Sequence, residues 1–309
     1  MPARDVNRRR RPPGAGDSSP KGFSLIEMVV VIMLLGILGA AVGAFIARPV
    51  EGYRDLARRA ALVDAAESAL RRMERDLRNA LPNSVRVSNL ANGFALEMIP
   101  ILDGARYSIQ VATGSPLTFN SDDQFDVLGC FRNPATLTTS GIRLVVNNRG
   151  TGSNDVYPDA QLLVGAESLI TPATGMTISF SVNPGGCTRC TTGCADRVTL
   201  SPAHDFRADS PTHRLYVVTK ALTYICNTTA GTLMRYADYA IPSSQPTDPS
   251  AAPLATAASA RVADKLTACS VATTTADVRN RGMATITLTL SEESEPIRLI
   301  HQVPLDNSR

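Results

Sequence analysis

Hydrophobic and polar positions divide the chain into three regions of different period. From Met28 to Ala47 no residue carries a charge, and most are large and apolar. About 20 residues at roughly 1.5 Å rise match the ~30 Å hydrocarbon core of a bilayer, so this run predicts a membrane-spanning helix. Past Pro49 the pattern turns amphipathic, with Leu56, Ala60, Val63, Ala66, Leu70, Met73 and Leu77 recurring every three or four positions. That spacing is one helical stripe. Charged residues from Arg54 to Arg78 occupy the other faces, and Asn79 and Pro82 end the helix. A continuous helix from Phe23 to Leu81 would be about 88 Å long. Pro49, which has no N–H to donate, is expected to bend or locally open it near the membrane surface.

From Ser84 the period changes to two. Strands are predicted at Ser84–Ser88, Phe94–Ile101, Arg106–Ala112, Gln124–Cys130, Ile142–Val146, Met176–Val182, Leu215–Cys226, Met283–Leu290 and Ile297–Val303, with Gly, Pro, Asn and Asp between them. Ser243 to Pro253, rich in Pro, Ser, Thr and Ala, reads as a surface loop. The class expected is therefore α+β, a long N-terminal helix and a β-rich C-terminal head.

Charge gives the orientation. The formal net charge of +3 is small for 309 residues, and residues 1–22 hold Arg4, Arg8, Arg9, Arg10, Arg11 and Lys21 against Asp5 and Asp17. Arg48, Arg54, Arg58 and Arg59 follow the span, but the leader carries more positive residues, which predicts a cytoplasmic leader and an exported C-terminal bulk. The run Arg8–Arg11 beside a membrane helix is read as a topological anchor, and no nucleic-acid partner is expected. Six cysteines in the exported part fit an oxidising periplasm.

The junction between leader and span carries the most information. Glu27 lies at the start of the apolar run, and a carboxylate deep in a bilayer costs roughly 2.5–3.5 kcal/mol on insertion scales, so it needs a partner or a role. A cut after Gly22 would free the amine of Phe23, a positive charge suited to Glu27. An ordinary secretory signal cleaved near Ala41–Ala44 is the competing reading, but its apolar core would be shorter and would carry no glutamate.

The segment Lys21-Gly22-Phe23-Ser24-Leu25-Ile26-Glu27 followed by a hydrophobic helix resembles the processing and methylation signal of type IV prepilins and type II secretion pseudopilins. The leader departs from that pattern in being long and Arg-rich. Further segments, Phe206–Pro211, Leu222–Cys226, Gly231–Tyr236, Cys269 and Ile297–Val303 with Asp306 and Asn307, resemble the minor pilins of MSHA-type pilus biogenesis. PilW-type minor pilins and J-type minor pseudopilins share parts of the plan. The resemblance implies a type IV pilin-like fold with a leader (1–22), a transmembrane and assembly helix (23–48), an amphipathic half-helix (49–82) packed on the head, and a β-rich periplasmic head (83–309). It implies cleavage between Gly22 and Phe23 by prepilin peptidase, methylation of Phe23, and Glu27 as the assembly residue that pairs with the Phe23 amine of an adjacent subunit. The implied partners are other major and minor pilins, the pilus assembly platform and the inner membrane, and the implied role is that of a low-copy pilin in a filament or its tip complex. A type II secretion minor pseudopilin, a pilus-tip adhesin and a membrane-anchored periplasmic enzyme are the alternatives.

Other candidate chemistry is sparse. Cys187, Cys190 and Cys194 form a dense cluster, but a structural zinc site needs a fourth ligand and a second knuckle, and the surrounding Gly, Pro and Thr argue against a redox helix. Disulfides are expected, with one of the three reaching Cys130, Cys226 or Cys269. A Cys226–Cys269 bridge around the Pro/Ser-rich stretch is the specific expectation, although spacing alone does not choose among pairings. His204, His213 and His301 are scattered and fall in no catalytic or metal motif, so no enzyme activity and no cofactor are expected. Asn120–Asp126 has the acids of a calcium loop without its spacing and reads as a solvated turn. Gly36, Gly39 and Gly43 form a small-residue face within the span.

Overall fold

The computed structural model describes residues 22–110, 114–132, 137, 141–183, 188, 190, 194–274 and 282–305. Helix α1 runs from Leu25 to Arg78. Strands follow as β1 (Arg86–Leu90), β2 (Gly93–Met98), β3 (Ile101–Arg106), β4 (Asp122–Asp126) and β5 (Arg143–Val146). After the short helix α2 (Val156–Asp159) come β6 (Thr177–Asn183), β7 (Ala195–His204), β8 (Arg214–Val218), β9 (Ala221–Asn227) and β10 (Thr232–Tyr239). The chain then forms β11 (Ala258–Ala263), β12 (Leu266–Thr274), β13 (Met283–Glu292) and β14 (Glu295–Pro304). An N-terminal helix followed by a β-rich head is the α+β plan expected, and it is consistent with a pilin-like fold. The chain divides after Ala57 into two units.

The helix is continuous through Pro49, so no local opening occurs there. Proline's fixed φ is itself helical, and losing one N–H leaves the turns on either side bonded. At the other end, Asn79 donates from its side chain to the Ile101 carbonyl at 2.8 Å, and the Leu81 amide bonds Ile99 at 2.8 Å. These bonds tie the helix end to the β2–β3 connection.

The stripe expected on α1 is buried only in its later part: Ala66, Leu70, Met73 and Leu77 are buried, Val63 is half-buried, and Leu56 and Ala60 are exposed, while Leu62, off the expected stripe, is buried. Leu62, Ala66, Leu70, Met73 and Leu77 share one core with Phe94, Leu96 and Met98 of β2, Leu222 and Tyr224 of β9, and Ile286, Leu288 and Leu290 of β13. Two sheets supply those partners: an antiparallel sheet of order β1-β2-β9-β10-β11 and another of order β12-β13-β14. The opposite face of the larger sheet, with Ala95, Ile225 and Tyr239, is also covered, by Val156, Tyr157 and Ile170 among others. Burial on both faces explains why β2 and β9 read as nearly continuous apolar runs. Sheets β3-β8-β5 and β4-β7-β6 enclose a third core around Phe125, Phe131, Val198 and Val217.

Several strand expectations change. The single strand expected over Leu215–Cys226 is two, β8 and β9, which belong to different sheets and separate at Thr219 and Lys220. A strand expected from Arg106 is displaced toward the N-terminus as β3, and residues 111–113 lie outside the described residues. Strands β7, β10, β11 and β12 were not anticipated. In β11 (ASARVA) and β12 (LTACSVATT), small or polar side chains replace the branched and aromatic residues that mark a strand, and tertiary pairing decides instead.

The Ser243–Pro253 stretch is irregular, as expected, but it is held to the head. The Arg86 guanidinium donates to the Ser243 carbonyl at 2.8 Å and the Pro242 carbonyl at 3.1 Å, and the Gln245 amide donates to the Ala95 carbonyl at 2.9 Å. Arg86 also pairs with the fully buried Glu97 and lies 3.5 Å from the centre of the Tyr157 ring. Burial pushes the Glu97 carboxyl up, against the hydrogen bonds it accepts from Arg86 and Tyr239.

Candidate processing and assembly site

Gly22, Phe23 and Ser24 precede α1, and all three are exposed. The Ser24 carbonyl accepts the amides of Glu27 at 3.0 Å and Met28 at 3.2 Å, so the helix begins immediately after the Gly22–Phe23 bond. Glu27 occupies the first turn. A carboxylate there faces the positive end of the helix macrodipole. Among the described residues no side chain pairs with Glu27.

Downstream, Leu25–Gly43 is a stretch of 19 residues long and apolar enough to cross a membrane, and none of it is buried. Phe23 is 79% exposed and Leu25 82%. A Cβ added at Gly36, Gly39 or Gly43 would meet nothing within 4 Å, so backbone approach from another helix is sterically open along that face.

The other candidate residues have structural partners. Cys130 is bridged to Cys190, and Cys226 to Cys269. Cys194 is also disulfide-bonded, and Cys187 lies outside the described residues. Gly93, at φ +141°, lies under the second bridge: an added Cβ would fall 3.2 Å from the Cys269 sulfur and far closer to the Cys226 carbonyl oxygen.

Asp122 and Asp126 are buried, so the solvated turn expected at Asn120–Asp126 is a correction. The Asp122 carboxylate accepts the amides of Thr118 at 2.7 Å and Gln124 at 3.0 Å. Asp126 accepts two bonds from the Arg197 guanidinium, at 2.6 and 2.9 Å, and one from Asn183 at 2.8 Å. Burial pushes the Asp126 carboxyl up, but the bonds from Arg197, Ser115 and Asn183 outweigh it and hold the group below the usual range. These carboxylates are spent on protein donors, and no metal-ligand cluster occurs among the described residues.

The three histidines lie in separate environments. His204 packs edge-on against Phe206, His213 edge-on against Tyr107 beside Asp209, and His301 pairs with Glu74. Tyr107, Tyr157, Tyr224, Tyr236 and Tyr239 are buried, so their rings present no exposed face. Two cationic residues that belong to no sequence motif, Arg149 and Arg214, line a common cleft. Helix α2 and strands β6 and β7 separate them in sequence.

Residues 18–43 match the family model described as the prokaryotic N-terminal methylation motif. No curated protein matches the chain, and no solved structure does. The motif supports a type IV pilin-like or pseudopilin protein, a substrate of prepilin peptidase that assembles with pilin machinery. Together with the exposed apolar helix it supports a membrane-anchored pilin.

Proposed function

We propose that the chain is a low-copy minor pilin of an MSHA-type type IV pilus, cleaved between Gly22 and Phe23 and methylated on the new Phe23 amine. The observation that carries this reading is the register of three features. An exposed Gly22–Phe23 bond, a carboxylate in the first helical turn and a fully exposed span of 19 residues follow one another without interruption. In this reading the helix sits in the inner membrane with the head in the periplasm until assembly. An apolar helix leaves lipid only by packing against other such helices, and Glu27 is neutralised there by the Phe23 amine of a neighbouring subunit. The large head fits a tip or base position better than the repeating wall of a thin filament. No catalytic role is part of the proposal. Since type II secretion pseudopilins carry the same motif, a minor pseudopilin is the second reading, and the prepilins that co-purify with the chain separate the two.

N-terminal mass spectrometry of the membrane-extracted protein tests the reading. The expected mature chain begins with methylated Phe23, and Gly22→Arg leaves the precursor uncut. A mature chain beginning after Gly43 or Ala44, or an intact leader in a host with active prepilin peptidase, overturns it.

A further inference from the structure

One charged network in the head reaches from the core to the surface. Glu97 on β2 is fully buried, and among the described residues its one cationic partner is Arg86 on β1, whose Nε donates to Oε2. The Tyr239 hydroxyl on β10 donates to Oε1 at 2.8 Å, and it accepts in turn from the Thr223 hydroxyl on β9 at 2.6 Å. From α2, the Tyr157 ring lies 3.5 Å from the Arg86 guanidinium, and Asp155 caps that helix by accepting the Tyr157 amide. Burial raises both tyrosines, so neither titrates in acid.

The remaining donors of Arg86 go to a single segment. Nη1 donates to the Ser243 carbonyl at 2.8 Å and Nη2 to the Pro242 carbonyl at 3.1 Å. Gln245 donates from Nε2 to the backbone carbonyls of Arg86 at 3.3 Å and Ala95 at 2.9 Å, and its Oε1 accepts the Ser88 hydroxyl at 2.8 Å. Strand β1 is an edge of its sheet, so residues 242–245 form a strap across that edge. Uncovered, such an edge offers unpaired backbone groups to another chain. Among the described residues no backbone-to-backbone bond joins the strap to β1, and side chains alone hold it there.

The hold depends on charge. While Glu97 is ionised, Arg86 neutralises it, and moving the guanidinium away would leave a buried anion alone. Protonation of Glu97 removes that constraint. The guanidinium then keeps two carbonyl acceptors, and it is partly open to water, which competes for it. Burial raises the Glu97 carboxyl despite the bonds from Arg86 and Tyr239, so the native chain takes up this proton more readily than the unfolded chain. Acid acting through Glu97 therefore does not weaken the fold. Asp248, beyond the strap, is bonded by Ser250 and held below its ordinary range, which removes it as the responding group.

We infer that Arg86 and Glu97 form a pH-operated latch: ionised Glu97 holds Arg86, Arg86 holds the 242–245 strap over the edge of β1, and protonation of Glu97 releases it. The inference rests on the head alone and does not depend on how the N-terminus is processed.

A nitroxide attached at Ser244→Cys, an exposed position on the strap, tests it by electron paramagnetic resonance on the detergent-solubilised full chain. Spectra are taken from about pH 7.5 down to about pH 4.5. The mobile fraction is expected to rise about tenfold toward acid, the effect of losing one charge-assisted hydrogen bond. Far-ultraviolet circular dichroism should stay constant over the same range. Glu97→Gln and Arg86→Gln are each expected to show the mobile fraction at every pH, without a transition. A parent label that stays immobile in acid overturns the inference, and so does mobility that appears only with loss of the folded signal. A transition that persists in Glu97→Gln assigns the proton to another group and also overturns it. Where Glu97→Gln folds poorly, Arg86→Gln, altered at a partly exposed side chain, decides in its place, and a persisting transition there overturns the latch.

Discussion

Nε2 of His301 on β14 lies 2.8 Å from a carboxylate oxygen of Glu74 on α1, joining the last strand to the helix. That hydrogen bond, with Arg78 nearby, holds the Glu74 carboxyl below its ordinary value of 4.5 despite partial burial. A depressed carboxylate stabilises the fold above its unfolded value, and the contribution is lost as pH falls through the folded value. Glu74→Gln is therefore expected to cost about 1 kcal/mol at pH 7, and the difference from the parent should close below pH 4.5. Urea unfolding as a function of pH measures both curves. A gap that persists in acid would assign the loss to packing.

His204 is expected to act in a higher pH range. It is 1% exposed, and burial brings its imidazole down to about 4 from 6.5. Ser168 Oγ donates to the Ile170 carbonyl, so it accepts from His204 Nε2 at 3.3 Å, which leaves Nδ1 as a buried acceptor without a donor. The unfolded chain then takes up a proton that the native state refuses. Stability is full above pH 6.5 and declines as pH falls toward 4, by a total on the order of 3 kcal/mol. His204→Phe should flatten the stability curve over that interval. A slope unchanged in the variant would place its source in another group.

Gly93 gives a prediction about the bridge. Its positive φ and the approach of the Cys226 backbone leave no room for a side chain. Gly93→Ala should lower stability by more than about 1 kcal/mol and slow closure of Cys226–Cys269. Non-reducing peptide mapping of refolded material reads the second effect. Normal bridge formation at parental stability would show that β2 can shift aside.

Glu27→Val separates insertion from assembly. Removing the carboxylate removes its desolvation cost, so the variant should enter the membrane at least as well as the parent and keep the head's protease resistance. It should fail to co-purify with partner pilins. Normal co-purification and piliation in the variant strain would remove the role proposed for Glu27, whereas loss of head stability would place its effect in the wrong part of the chain.

The long helix and the buried end of its stripe were legible because Ala66, Leu70, Met73 and Leu77 obey a local period that tertiary structure keeps, whereas Leu56 and Ala60 lie on the same period and are exposed. The Gly22-to-Glu27 segment was legible because its features adjoin in sequence. The break within Leu215–Cys226 was not, since β8 and β9 are equally apolar and only their partners differ. Asp122 and Asp126 looked solvated because their donors, Arg197 above all, come from a distant strand. Arg149 and Arg214 illustrate the same limit, because a cleft built from three separated segments leaves no local signature.

The Cys226–Cys269 bridge spans 43 positions and joins β9 of one sheet to β12 of the other, the two sheets between which the lower part of α1 finds its apolar partners. This gives the head a mechanical property. Tension applied along the helix enters both sheets through the Leu62–Leu77 stripe, and the two could otherwise peel apart one contact at a time. With β9 and β12 covalently joined, the two sheets are held together at that point, so a load on this part of the helix is shared by its contacts with both.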